Sequence, residues 1–136
     1  MNEIKVEAII ENIPKVTEFV DGILEGLDCP MKAQMQIDVA IDELLSNIAY
    51  YAYSPGTGEA TVRVESNEEP KAVTITFIDR GVQYDPLAKT DPDVSLPAEE
   101  REVGGLGIFI VKKTMDDMSY EYRDGQNILV IKKNLQ

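Results

Sequence analysis

Ala60-Thr61-Val62-Arg63-Val64-Glu65, then Ser66-Asn67-Glu68-Glu69-Pro70, then Ala72-Val73-Thr74-Ile75-Thr76-Phe77-Ile78 is the stretch on which the fold turns. Two runs rich in β-branched residues flank a polar turn, which reads as an antiparallel hairpin. The device returns near the end of the sequence. There, Met118–Arg123 and Asn127–Lys132 flank Asp124-Gly125, a dipeptide that accepts the positive φ angles of a tight hairpin. Strands that arrive as hairpins, and not as alternating βαβ units, point to an α+β sandwich with helices on one sheet face.

The remaining elements follow from periodicity. In residues 3–10, Ile4, Val6, Ala8 and Ile10 alternate with Glu3, Lys5 and Glu7, the pattern of a half-buried strand. Ile13-Pro14 opens a helix whose Val16, Phe19, Val20, Ile23, Leu24 and Leu27 recur at three- and four-residue spacing. Asp28-Cys29-Pro30 ends it. A second helix is expected from Met31 to Tyr51, with Ile37, Ile41, Leu44, Leu45 and Ile48 as its apolar stripe. A third runs from Ile108 to about Met115. The order is β-α-α-β-β-loop-α-β-β. A length of 136 residues with 43% hydrophobic content fits one domain, 1–136, with a core of its own.

Composition removes several chemistries. The sequence has no histidine and one cysteine. A histidine general base, a Ser-His-Asp triad, a histidine metal ligand, an internal disulfide and a cysteine-rich zinc site are therefore all excluded. The absence of disulfides suits a reduced, cytoplasmic compartment. With 25 acidic against 13 basic residues the net charge is -12. No basic cluster exceeds Lys112-Lys113 or Lys132-Lys133, so no direct nucleic-acid contact is expected. No window approaches the roughly 18 apolar residues of a membrane helix. Met1-Asn2-Glu3-Ile4-Lys5 lacks the pattern of a signal peptide.

Three places carry chemistry. Glu43 and Asn47 lie four apart on the second helix and share a face, so a carboxylate and an amide could converge on one point. The same pair also occurs on ordinary solvated helices. Ile78-Asp79-Arg80-Gly81 puts a carboxylate at a strand end beside a glycine that permits close backbone approach; the plain alternative is a turn. Gly104-Gly105-Leu106-Gly107 precedes an apolar helix, where free N–H groups favour phosphate; it could equally be a hinge. Neither Gly-x-Gly-x-x-Gly nor Gly-Lys-Ser/Thr occurs. Between the last two places lies 80–103, with Pro86, Pro92 and Pro97 and little periodicity, long enough to be a lid.

In this order the motifs resemble those of the GHKL ATPases, and within them the anti-sigma factor serine/threonine kinases of the RsbW and SpoIIAB type. Ala40-Ile41-Asp42-Glu43-Leu44-Leu45-Ser46-Asn47-Ile48-Ala49-Tyr50-Tyr51-Ala52-Tyr53 is similar to their N box. Asp79-Arg80-Gly81-Val82-Gln83-Tyr84-Asp85-Pro86 resembles the G1 box, and Gly104-Gly105-Leu106-Gly107-Ile108-Phe109-Ile110-Val111 the G2 box. The resemblance covers residues 4 to 133. It implies a two-layer Bergerat-type ATP-binding sandwich with a mixed, mostly antiparallel sheet and an ATP lid at about 82–103. It implies ATP and Mg²⁺ as cofactors. Asn47 would hold the metal, Glu43 would be the base, Asp79 would bind the adenine amine and Gly81 would keep that wall open. Gly104, Gly105, Leu106 and Gly107 would face the phosphates, and Arg101 would reach the terminal one. Relatives carry that arginine nearer the glycine turn, where this sequence has Glu102 and Val103, and many carry a histidine where it has Tyr51. The implied partners are an anti-anti-sigma protein of the STAS type as substrate, a sigma factor, and a second copy in a homodimer. Two alternatives stand beside this: a nucleotide-binding regulatory module without kinase activity, and a detached histidine-kinase ATP domain.

Overall fold

Alternating burial along the central hairpin fixes which way the sheet faces. A computed structural model describes residues 2–69, 71–88 and 105–135. Strands β2 (Glu59–Glu68) and β3 (Lys71–Asp79) pair antiparallel from Ala60↔Asp79 to Glu68↔Lys71. On one face Val62, Val64, Ile75 and Phe77 are buried. On the other, Arg63, Thr74 and Thr76 are half-exposed. Both strands run further into the expected turn than alternation suggested, because backbone pairing continues where side chains no longer alternate.

The sheet is completed by β1 (Asn2–Glu7), β4 (Asp117–Arg123) and β5 (Gln126–Asn134), in the order β1-β2-β3-β5-β4. All four pairings are antiparallel, a purer arrangement than the mixed sheet expected. β1 stops at Glu7, short of the expected Ile10, because residues 10–12 turn into a 3₁₀ segment that leaves Ile10 exposed. In the β4–β5 turn Asp124 and Gly125 take φ of 54° and 77°, both central residues being left-handed as such a turn requires.

Helices α1 (Ile13–Gly26), α2 (Met31–Asn47) and α3 (Gly105–Thr114) cover the apolar sheet face. Val16, Val20 and Leu24 of α1, Ile37, Ile41 and Leu44 of α2, and Ile108 and Val111 of α3 join Val62, Val64, Ile75, Phe77 and Ile131 in one core. Pro14 sits in the first turn of α1. At its other end Asp28 turns left-handed at φ 54°. The Cys29 N–H then donates to the Leu24 carbonyl (3.1 Å) and the Asp28 N–H to that of Glu25 (3.2 Å). That pair of bonds is a Schellman closure, with an aspartate where glycine is usual.

Two boundaries near the expected site move. α2 remains α-helical only to Asn47, and Ile48–Ala52 widens into a π turn. α3 begins at Gly105, so Gly105 and Gly107 are helical residues and not the turn before Ile108.

Candidate functional site

The π turn sets up the site. π turns inside helices often mark functional positions, and this one frees the Ala52 carbonyl to accept the Val82 N–H at 2.8 Å. Gly81 makes the approach possible, since a Cβ there would collide with the Ala52 backbone and side chain. The missing side chain of Gly81 thus makes room for protein backbone. Tyr53 locks the same corner. Its hydroxyl donates to the Glu59 carbonyl (2.6 Å) and accepts the Arg80 N–H (2.7 Å).

Asp79 ends β3, buried at 6% exposure. Its Oδ1 accepts the Gly81 N–H (2.9 Å) and an Asn127 Nδ2–H (2.9 Å). Oδ2 has no hydrogen-bond partner among the described residues. Asp79 and Asn127 are register partners on β3 and β5, so their side chains meet on the same sheet face. The pocket they border is lined also by Leu44, Asn47, Ile48, Tyr51, Ala52, Phe77, Val82, Tyr84, Pro86, Tyr120 and Leu129. It encloses about 470 Å³, mouth included. Its walls are apolar, with a carboxylate and amides at defined points, which is the usual make-up of a small-molecule site.

Glu43 and Asn47 are brought together only in part. Asn47 lines the pocket. Glu43 points to the first turn of α3, where a Cβ on Gly107 would run into its carboxylate. Burial first, and the charge of Asp42 second, push the Glu43 carboxyl above its ordinary value, the direction that suits a proton acceptor near neutral pH. Gly104 and Arg101 lie outside the described residues, as does most of the expected lid. Gly105 and Leu106 are placed only as helical backbone. Residues 82–88 belong to the body of the domain. The Tyr84 N–H is held by Asn127 Oδ1 (3.1 Å), the Leu87 N–H by Asp85 Oδ1 (2.8 Å), and Pro86 is buried in the pocket wall.

Three contributors were not singled out in the sequence: Asn127, Tyr120 and Tyr53. Tyr53 stood at the end of the N-box stretch and could have been weighed. Asn127 had no local signal beyond an amide at the start of a strand.

An antiparallel sheet covered by helices on one face, with a buried carboxylate at the end of β3, is the arrangement of a GHKL-type domain. The chain belongs to the histidine kinase-like ATPase domain family, whose model matches residues 6–133. It is similar to the serine/threonine-protein kinase BtrW of Bordetella bronchiseptica, 27% identical over 100 residues that cover 74% of this chain and 70% of that protein. It is likewise similar to the serine-protein kinase RsbW of Bacillus cereus, 26% identical over 134 residues, or 96% and 82% of the two chains. A chain in the crystal structure of the SiaB–SiaC complex from Pseudomonas aeruginosa shares the fold, with a TM-score of 0.57 at 18% identity over 96% of this chain and 88% of that one. Among the described residues no helix is long and apolar enough to cross a membrane.

Proposed function

We propose that the protein is an ATP-dependent serine/threonine protein kinase of the anti-sigma type. It phosphorylates a serine or threonine of a STAS-type anti-anti-sigma protein and, in the alternative complex, sequesters a sigma factor. It works as a cytoplasmic homodimer. The observation that carries the nucleotide reading is the Asp79 carboxylate, buried in an apolar pocket, whose hydrogen bonds among the described residues all go to Oδ1. A flat ring bearing an amine matches that donor requirement. The resemblance to two named serine/threonine kinases supports the transfer reading.

The residues present fit the cofactors. Leu44, Ile48, Phe77, Val82 and Leu129 offer the apolar walls a purine needs. Asn47 offers one hard oxygen. No group of three His, Cys, Asp or Glu able to hold a metal exists among the described residues. Mg²⁺, which commonly takes one or two protein oxygens and completes its shell with phosphates and water, suits a single carboxamide ligand. Bound Mg-ATP supplies the phosphoryl group. Glu43 would take the proton lost by the acceptor hydroxyl, and Asn47 would orient the metal end of the nucleotide. Gly107 leaves room for the Glu43 carboxylate at the turn of α3, where helix N–H groups are unpaired within the helix and attract anions.

The test is incubation of the full chain with γ-labelled ATP and the anti-anti-sigma protein. Label on the partner is expected, lost in Glu43→Gln while nucleotide binding persists. A wild-type protein that binds Mg-ATP, as read by a rise in melting temperature, but labels no partner would instead identify the regulatory module without kinase activity. The displacement of Arg101 from the family position, with Glu102 and Val103 in its place, favours that second outcome.

A further inference from the structure

The Asn127 carboxamide has two donors and two acceptor positions, and the protein uses all four. Nδ2 donates to Asp79 Oδ1 (2.9 Å) and to the Val82 carbonyl (2.9 Å), with the Gly81 carbonyl a further 3.5 Å contact. Oδ1 accepts the Tyr84 N–H (3.1 Å) and the Tyr120 hydroxyl (2.5 Å). The residue is 6% exposed. Its orientation is unambiguous, since a flipped amide would face Asp79 and the Val82 carbonyl with oxygen, and the Tyr84 N–H with nitrogen. A side chain with no spare hydrogen-bonding capacity cannot also hydrogen-bond a ligand. Its partners come from the strand end (Asp79), the turn that follows (Val82, Tyr84) and the edge strand β4 (Tyr120).

We infer that Asn127 is the positioning residue for base recognition: it fixes Asp79 by Oδ1 so that Oδ2 alone faces the pocket, and it fastens the 81–84 backbone as the wall beside it. This rests on the nucleotide reading above. A carboxylate held by two donors on one oxygen, Gly81 N–H and Asn127 Nδ2–H, presents its second oxygen in a set direction. Held by Gly81 alone it can rotate. The pocket then keeps its apolar walls and its metal end but loses its preference for an amine at the purine 6-position. The recognised feature is a hydrogen-bond donor at the 6-position itself. Adenine has it; a purine without the amine, or with a carbonyl there, does not.

The test compares Mg-ATP with the Mg complex of purine riboside triphosphate, which differs only in lacking the amine. By titration calorimetry the wild-type protein should bind ATP about tenfold or more tightly, as expected for a hydrogen bond to a charged acceptor. In Asn127→Leu, ATP affinity should fall to about that of the analogue, while affinity for the analogue stays about unchanged. Loss of affinity for both ligands alike would assign Asn127 a merely structural role and overturn the inference, as would retained discrimination. Absence of discrimination in the wild type would instead refute the Asp79 reading itself, so the two failures are distinct. If Asn127→Leu melts below the assay temperature, Asn127→Ser gives the same readout, since its hydroxyl is too short to bridge Asp79 and Tyr120. Tyr120→Phe, which removes one bond of the four, should shift discrimination in the same direction by a smaller factor.

Discussion

Replacing Asp38 by asparagine should stabilise the protein at pH 8 and do little or slight harm at pH 5. Asp21 on α1 and Asp38 on α2 meet in a groove between the helices lined also by Glu18, Glu25 and Asp42, with no lysine or arginine in its wall among the described residues. Oδ1 of each aspartate is buried without a hydrogen-bond donor. Two carboxylates are acceptors only, so the pair is satisfied when one proton sits between them. Burial, then the hydrogen bond to Asp21, then the charge of Asp21 push the Asp38 carboxyl from 3.8 up to about 7. In the folded protein the pair therefore holds a proton that the unfolded chain has already lost above pH 4. Its stabilising contribution is complete below about pH 4 and is lost as pH rises through about 7. The interval from 3.8 to about 7 sets a ceiling of about 4 kcal/mol at about 1.4 kcal/mol per decade. The groove opens to solvent, and screening reduces this to about 1–2 kcal/mol. Asparagine keeps the volume and donates to Asp21 at every pH, so the gain at pH 8 corresponds to a melting temperature higher by about 3–8 °C in a domain of this size. Thermal and urea unfolding of both proteins from pH 5 to 8 decides it. Parallel stability curves, or a variant less stable at pH 8, would refute the shared proton.

Alanine at Gly107 and at Gly81 should behave differently, because the obstacles differ. At Gly107 the new methyl meets the mobile end of Glu43, so stability should hold or rise by up to about 1 kcal/mol in the helix while phosphoryl transfer falls. At Gly81 it meets the Ala52 backbone, and unfolding free energy should drop by about 1–3 kcal/mol, as for an overpacked site; equal melting temperatures for the two variants would contradict this. Asp28→Gly should raise stability by about 0.5 kcal/mol, since only glycine takes the left-handed angle at the α1 terminus without strain. A loss on urea titration would show that the aspartate side chain contributes something the backbone geometry does not reveal.

Much of the fold was legible because it rests on side-chain periodicity. Val62 and Val64 against Arg63, and Ile75 and Phe77 against Thr74 and Thr76, alternate with the pleat, and Asp124-Gly125 has the residues its turn angles demand. What escaped was set by backbone relations between distant segments. Nothing in Ile48-Ala49-Tyr50-Tyr51-Ala52 announces a π turn; the helix opens there where Ala52 receives Val82, thirty residues on. The helical start at Gly105 has the same origin. Glycine discourages a helix locally, yet Gly107 occurs where any side chain would displace Glu43.

The candidate site divides along the same line. Asp79, Asn47 and Glu43 could be named because each sits in a short motif with its own chemistry. Asn127 could not, since its importance lies entirely in a register pairing with a residue forty-eight positions earlier. That difference carries a mechanistic consequence. The amide on β5 ties a strand end, a turn and an edge strand through one side chain, so a change at any of those partners alters how Asp79 is presented. On the proposed nucleotide reading, selectivity in this pocket is a property of the β3–β5 pairing as much as of the carboxylate, and loss of the Tyr120 hydroxyl should modulate it through Asn127.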